Sequence, residues 1–145
     1  MSHSLVKIWV HAIVGVKYRE NLIIPKYEKL IYKILSREIS KTGCKLFAIG
    51  GTENHIHILI MIKATMSISS IMKQVKGASS RMISRLKLCP KDFNWQIGYG
   101  AFSVSEKNVK GVIRYIKNQK IHHQEVNLQE ELKSIRFNKS AKTMT

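Results

Sequence analysis

Residues 55–62, HIHILIMI, constrain the fold more than any other part of the chain. Side chains alternate across a strand, so Ile56, Ile58, Ile60 and Ile62 occupy one face, and His55, His57, Leu59 and Met61 share the other. The segment is apolar on both faces, with polar atoms only at its beginning, and reads as an inner strand. Residues two apart on one face stand about 7 Å apart along a strand, so the two imidazoles are neighbours. Two neutral imidazoles at the end of an inner strand are a fair pair of metal ligands. Spacing alone favours the plainer reading, one satisfied core histidine and one exposed one.

The rest of the chain supplies partners for that strand. Residues 5–14, LVKIWVHAIV, alternate, with Val6, Ile8, Val10, Ala12 and Val14 on one face and Lys7, Trp9 and His11 on the other. After Pro25, the positions Tyr27, Leu30, Ile31, Ile34, Leu35 and Ile39 follow helical spacing, and Gly43 ends the helix. Residues 44–49 read as a short strand joined to 55–62 through a turn at Gly50 and Gly51. Ser67 or Ser69 caps a second helix with Ile71, Met72, Val75, Ala78, Met82, Ile83 and Leu86 inward, and Pro90 stops it. Residues 93–105, FNWQIGYGAFSVS, read as a fourth strand with a turn or bulge. Ser105 then caps a last helix striped by Val109, Val112, Ile113 and Ile116. The order strand-helix-strand-strand-helix-strand-helix predicts an α+β, ferredoxin-like antiparallel sheet with helices packed on one face, plus a C-terminal helix. One domain over residues 1–131 and a basic, mobile tail over 132–145 are expected.

Charge narrows the partners. The 145 residues include 25 Lys and Arg against 9 acids, a formal net charge of +16. Such an excess favours a polyanion, nucleic acid ahead of a membrane surface, because the basic residues are spread over the chain and not gathered on one amphipathic helix. No apolar run approaches the roughly 20 residues of a membrane span. The first residues show no signal-peptide pattern, and Cys44 and Cys89 lack metal-type spacing, which suits reduced thiols in a cytoplasmic protein.

A second cluster lies in RYIKNQKIHH, residues 114–123. Tyr115 and Gln119 are one helical turn apart, His122 continues that face, and none of the three lies on the apolar stripe. A tyrosine beside a polar amide in so basic a chain could be a nucleophile next to a metal ligand; a surface tyrosine with a solvated amide is the everyday alternative.

Taken in order, KYR at residues 17–19, His-Ile-His at 55–57, KG-x-SS of Lys76, Gly77, Ser79 and Ser80, YGAFSVS at 99–105 and YIKNQxxHH at 115–123 resemble the single-tyrosine HUH transposases of the insertion sequence 200/605 group. The resemblance spans roughly residues 6–125. One departure stands out. Relatives often carry an acid-and-histidine pairing before the motif, whereas Glu53 and Asn54 precede His55 here; little effect on the chemistry is expected, though Asn54 can alter the contacts behind that imidazole.

The resemblance implies a transposase in which Tyr115 is the nucleophile and His55, His57 and Gln119 bind one divalent ion, Mg²⁺ or Mn²⁺, with no nucleotide cofactor. It implies cleavage and rejoining of single-stranded DNA through a 5′-phosphotyrosine, recognition of a DNA hairpin, and a homodimer whose subunits can share active sites. Lys17, Arg19, Lys73, Lys76, Arg81 and Arg85 are candidate backbone contacts, and Trp95 and Tyr99 candidate base-stacking residues. Two rivals stand beside it: a single-stranded nucleic-acid-binding module without catalysis, which fits the charge equally well, and a metal-dependent nuclease that uses water and releases free 5′-phosphate ends.

Overall fold

The structure, a computed structural model, describes residues 4–122, with the side chains of Ile121 and His122 left out. Four strands, β1 (Trp9–Gly15), β2 (Lys45–Gly51), β3 (His55–Met61) and β4 (Gly100–Val104), alternate with helices α1 (Glu28–Lys41) and α2 (Ile68–Arg85). Helix α3 (Val109–Lys117) and the short α4 (Gln119–His122) follow. The sheet order is β2-β3-β1-β4 and every pairing is antiparallel, which is the ferredoxin-like arrangement expected. Among the described residues no helix is long and apolar enough to cross a membrane. The basic tail 132–145 and His123 lie outside the described residues.

The inner strand is covered on both sides. Ile56, Ile58 and Ile60 of β3 join Val10, Ala12 and Val14 of β1 beneath Ile31, Ile34, Leu35 and Ile39 of α1 and Ile71, Met72, Val75 and Ile83 of α2. Burying each Val, Leu, Ile or Met of this set contributes about 1.5–3 kcal/mol. Helix α3 packs on the opposite face, where Val112 and Ile116 meet Trp9, Ala48 and Leu59. The expected set of helices on one face is thus α1 and α2, and the tyrosine-bearing helix takes the other.

Local chemistry sets the boundaries. The Ser67 hydroxyl accepts the Ser70 backbone N–H at 3.1 Å and caps α2. Gly43, at φ +86°, closes α1 in the left-handed region, its N–H donating to Ser40 C=O at 3.0 Å. Helix α2 ends the same way on a non-glycine, Lys87 at φ +54°, with Leu88 N–H donating to Ile83 C=O at 3.1 Å. It therefore stops before Pro90 is reached.

Four expectations need correcting. Ser105 does not cap α3: it precedes a 3₁₀ turn, Glu106–Asn108, without a side-chain cap hydrogen bond, and α3 starts after Asn108. The first strand begins at Trp9, and Leu5, Val6 and Ile8 are exposed. Gly50 and Gly51 lie inside β2, not in the turn, which falls at residues 52–54. A Cβ on Gly50 would stand 2.3 Å from the Ile116 carbonyl oxygen, so the glycine lets α3 lie directly on the strand. The fourth strand is only Gly100–Val104. Before it, residues 93–99 form a loop whose Phe93 and Trp95 plug into the core under α2.

Candidate functional site

The register of the sheet assembles the site. Facing β3, β1 brings Ile13 opposite His57 and His11 opposite Leu59, so His11 lies diagonally beside His57 on the α3 face. His11 Nε2 and His57 Nδ1 are 2.8 Å apart, and both imidazoles are fully buried. His55 and His57 have ring centroids 5.1 Å apart. The plainer expectation of one buried and one exposed histidine fails, since His55 is 1% exposed and His57 0%.

Helix α3 delivers Tyr115 onto this cluster. Its ring centroid is 5.8 Å from that of His57 and 6.0 Å from that of His11, edge to face in both cases. Tyr115 packs against the Trp9–Leu59–Val112–Ile116 group, so it does not sit off the apolar stripe as the helical spacing suggested. Asn118 breaks the helix, and Gln119 starts α4 with its side chain 1% exposed. Gln119 Nε2 donates back to the Tyr115 carbonyl at 3.2 Å. Its Oε1 is buried and has no hydrogen-bond partner among the described residues. An orphaned buried acceptor costs about 1–3 kcal/mol, and a cation beside it would relieve that cost. The side chain of His122 lies outside the described residues.

Behind His55 stands a small polar clamp. Asn54 Oδ1 is 2.7 Å from His55 Nδ1, and Thr52 Oγ1 is 3.0 Å from that nitrogen and donates to Asn54 Oδ1 at 3.2 Å. Asn54, the departure noted in the sequence, is therefore in direct contact with the imidazole. Three loops are knitted together at this end of the sheet. Val16 N–H donates to Asn54 C=O (2.8 Å), Lys17 N–H to Asn94 C=O (3.0 Å) and Gln96 N–H to Gly15 C=O (2.8 Å). Tyr18 and Arg19 of the KYR turn hold φ of +60° and +54°, strained for non-glycine residues.

Among the described residues no group of three or more His, Cys, Asp and Glu is placed to hold a metal. The donor set implied by the motifs has only two such residues, with the Gln119 amide oxygen as its third member. Two neutral imidazoles and an amide oxygen are chemically a sound, uncharged set for a divalent ion.

The DNA-contact candidates divide into three groups. Lys17 is exposed and Arg19 half-buried in the KYR turn, at the His55 end of the sheet. Lys73, Arg81 and Arg85 are exposed on α2, which covers the face opposite the histidines. Arg81 and Arg85 line an open groove of about 460 Å³ with Ser80, Ser84, Phe93 and Asn94. Lys76 behaves otherwise: its ammonium donates to the carbonyls of Gln96 at 2.7 Å and Gly98 at 2.6 Å, strapping the 93–99 loop to α2. Burial lowers its pKa from the usual lysine value. Tyr99 is 39% exposed beside this strap and stays available for stacking. Trp95 does not: it is 6% exposed, and its Nε1 donates to Ser79 Oγ at 2.9 Å. Trp95 is a core residue, and the serine of the KG-x-SS motif is its anchor.

His11 is the residue that sequence reasoning missed. Alternation puts it on the correct face of its strand, but only the strand register shows that this face is shared with His55 and His57.

The fold and the site together define an antiparallel, ferredoxin-like sheet whose buried histidines face a helical tyrosine. Comparison with known proteins makes that specific. The profile of the family described as "Transposase IS200 like" matches residues 4–119, and the chain belongs to that family. The chain is 27% identical over 125 residues to the transposase for insertion sequence element IS200 of Salmonella typhimurium, covering 82% of this chain and 81% of that one. It is 25% identical over 114 residues to the ISDra2 transposase TnpA of Deinococcus radiodurans, covering 75% and 81%. A crystal structure described as that of a candidate transposase from Deinococcus radiodurans superposes with a TM-score of 0.66 at 25% identity, over 82% of this chain and 95% of that one. A REP-associated tyrosine transposase bound to a REP hairpin shares the fold, with a TM-score of 0.63 at 14% identity, over 85% and 74%.

Proposed function

We propose that this transposase cuts and rejoins single-stranded DNA at insertion-sequence ends, with Tyr115 as nucleophile, a DNA hairpin as recognition feature and a divalent ion held by His55, His57 and Gln119. The observation that carries this reading is the contact of the Tyr115 ring with His57, centroids 5.8 Å apart, within one chain. A binding module has no need of a half-buried tyrosine against paired histidines. The hairpin bound by the REP-associated relative supports the recognition feature.

Bound at these donors, the ion would draw charge from a phosphate oxygen and orient the phosphodiester. Two imidazoles and an amide oxygen suit Mn²⁺, and Mg²⁺ is the abundant cellular candidate. Helix α3, seated on Gly50, fixes the direction from which the phenol approaches. The Tyr115 oxygen attacks phosphorus, the bond from phosphorus to the 3′ oxygen breaks, and the phenolic proton ends on the released 3′-OH. A 5′-phosphotyrosine remains, and because it conserves the bond energy, attack by another 3′-OH rejoins DNA without ATP. Lys17 and Arg19 stand at the histidine end of the sheet to meet the flanking backbone, and the Arg81–Arg85 groove offers a separate phosphate contact on the other face. A homodimer is part of the proposal. Each chain already faces its own histidines with its own tyrosine, so subunits sharing a site would exchange α3.

Incubating the full chain with a hairpin oligonucleotide and Mn²⁺, then denaturing, tests the reading. A protein–DNA adduct that Tyr115→Phe abolishes is the expected result. Free 5′-phosphate ends without an adduct would mean a water-using nuclease, and binding without cleavage a recognition module.

A further inference from the structure

The bond between His11 and His57 has a consequence that rests on the metal reading above. An N···N contact of 2.8 Å between two neutral imidazoles holds one shared proton, and it belongs to one ring or the other. If His11 Nε2 carries it, the proton of His57 itself must be on Nε2, and His57 has no lone pair left for a cation. If His57 Nδ1 carries it, His57 Nε2 is free to bind. Histidines that bind metals characteristically donate their second N–H to a fixed acceptor, which sets tautomer and ring orientation together.

His55 supplies an internal comparison. Its Nδ1 lies 2.7 Å from Asn54 Oδ1, an oxygen that can only accept, so the ring carries its proton on Nδ1 and offers Nε2. Both histidines of the pair thus turn Nδ1 towards a polar partner, one an amide on the same strand end, the other an imidazole from β1. His11 suits the task in three further respects. It is fully buried, so water does not compete for the bond. Its ring is boxed by Tyr115 at 6.0 Å and Phe102 at 6.4 Å between centroids, which limits rotation. It also makes no third metal ligand, since no trio of His, Cys, Asp and Glu among the described residues is placed to hold an ion.

We propose that His11 is a positioning residue: its Nε2 accepts the Nδ1–H of His57, holding that imidazole in the tautomer that presents Nε2 to a divalent ion, while its ring forms a wall against which Tyr115 rests. No change of charge is involved, only the choice between two neutral tautomers. A histidine side chain free in water prefers the opposite tautomer, with the proton on Nε2, so the protein must impose this one.

The most direct test needs neither an ion nor a variant. Long-range ¹⁵N–¹H correlation spectra of the metal-free full chain report which ring nitrogen of His57 is protonated. A proton on Nδ1 supports the proposal, and a proton on Nε2 overturns it. In His11→Phe, which keeps the ring volume but removes the acceptor, His57 should move towards the Nε2–H form, and Mn²⁺ affinity should fall about 10- to 100-fold. His11→Gln, whose amide oxygen can accept the same N–H, should recover part of that affinity. An unchanged tautomer and an unchanged Kd in His11→Phe would overturn the assignment. Failure of the metal reading itself is seen separately, as wild-type protein that binds no Mn²⁺; the tautomer result in metal-free protein would still decide the role of His11.

Discussion

The two faces of the sheet are built from the same strands to opposite ends. On the α1–α2 face, β1 and β3 contribute only apolar residues, Val10, Ala12, Val14, Ile56, Ile58 and Ile60, and the buried Ser79 of α2 is satisfied by the Trp95 indole. On the α3 face, the alternate residues of those strands include His11, His55 and His57, buried together with Gln119 from α4. Burying polar groups costs free energy unless they are hydrogen-bonded, and one of these atoms, Gln119 Oε1, has no such partner among the described residues. The first face stabilises the fold. The second gathers three buried imidazoles, a buried amide and a half-buried tyrosine, a costly packing that the proposed function would explain.

If that division is right, substitutions on the two faces separate stability from chemistry. The largest effect is expected in the double variant His11→Leu with His57→Leu. It removes both partners of the buried bond, so thermal stability should hold or rise, while adduct formation falls below detection. Parallel melting curves and hairpin-cleavage gels check both halves; loss of stability together with activity would blur the contrast. Next comes Ile58→Ala on the α1–α2 face, expected to cost about 2–5 kcal/mol in urea unfolding while adduct yield per folded molecule is kept. Smaller again is Gly50→Ala. The added Cβ falls 2.3 Å from the Ile116 carbonyl oxygen, so α3 must lift. The expected cost is about 1–3 kcal/mol. Adduct yield should fall although no donor has changed, and retention of full yield would show that the seating of α3 on β2 is unimportant.

The same contrast explains what was legible in the sequence. The α1–α2 face could be read almost residue by residue, because strand and helix periodicities mark apolar positions directly, from Val10 to Ile83. The candidate site was legible as separate motifs: the His-Ile-His step and the Tyr115–Gln119 turn. Their meeting was not, because it depends on strand register and on which face α3 chooses. His11 stands 44 positions before His55 and carries no local signal; only the pairing of β1 with β3 brings it to His57. Gly50 and Gly51 read as a turn because glycine marks turns and close approaches alike, and here close approaches decide, of Ile116 to Gly50 and of the β3 backbone to Gly51. Trp95 is ambiguous in the sequence because an aromatic in a glycine-punctuated segment looks the same whether it stacks on a base or fills the core. Its bond to Ser79 links positions 16 apart, which spacing cannot reveal.

Mapping the covalent link tests the central claim most directly. The full chain is incubated with hairpin DNA and Mn²⁺ and digested with protease and nuclease, and the nucleotide-bearing peptide is sequenced by mass spectrometry. The account predicts a nucleotide attached through phosphate to Tyr115, on the peptide from α3. A link to any other residue, such as the exposed Tyr18, or cleaved DNA with no linked peptide at all, would contradict it.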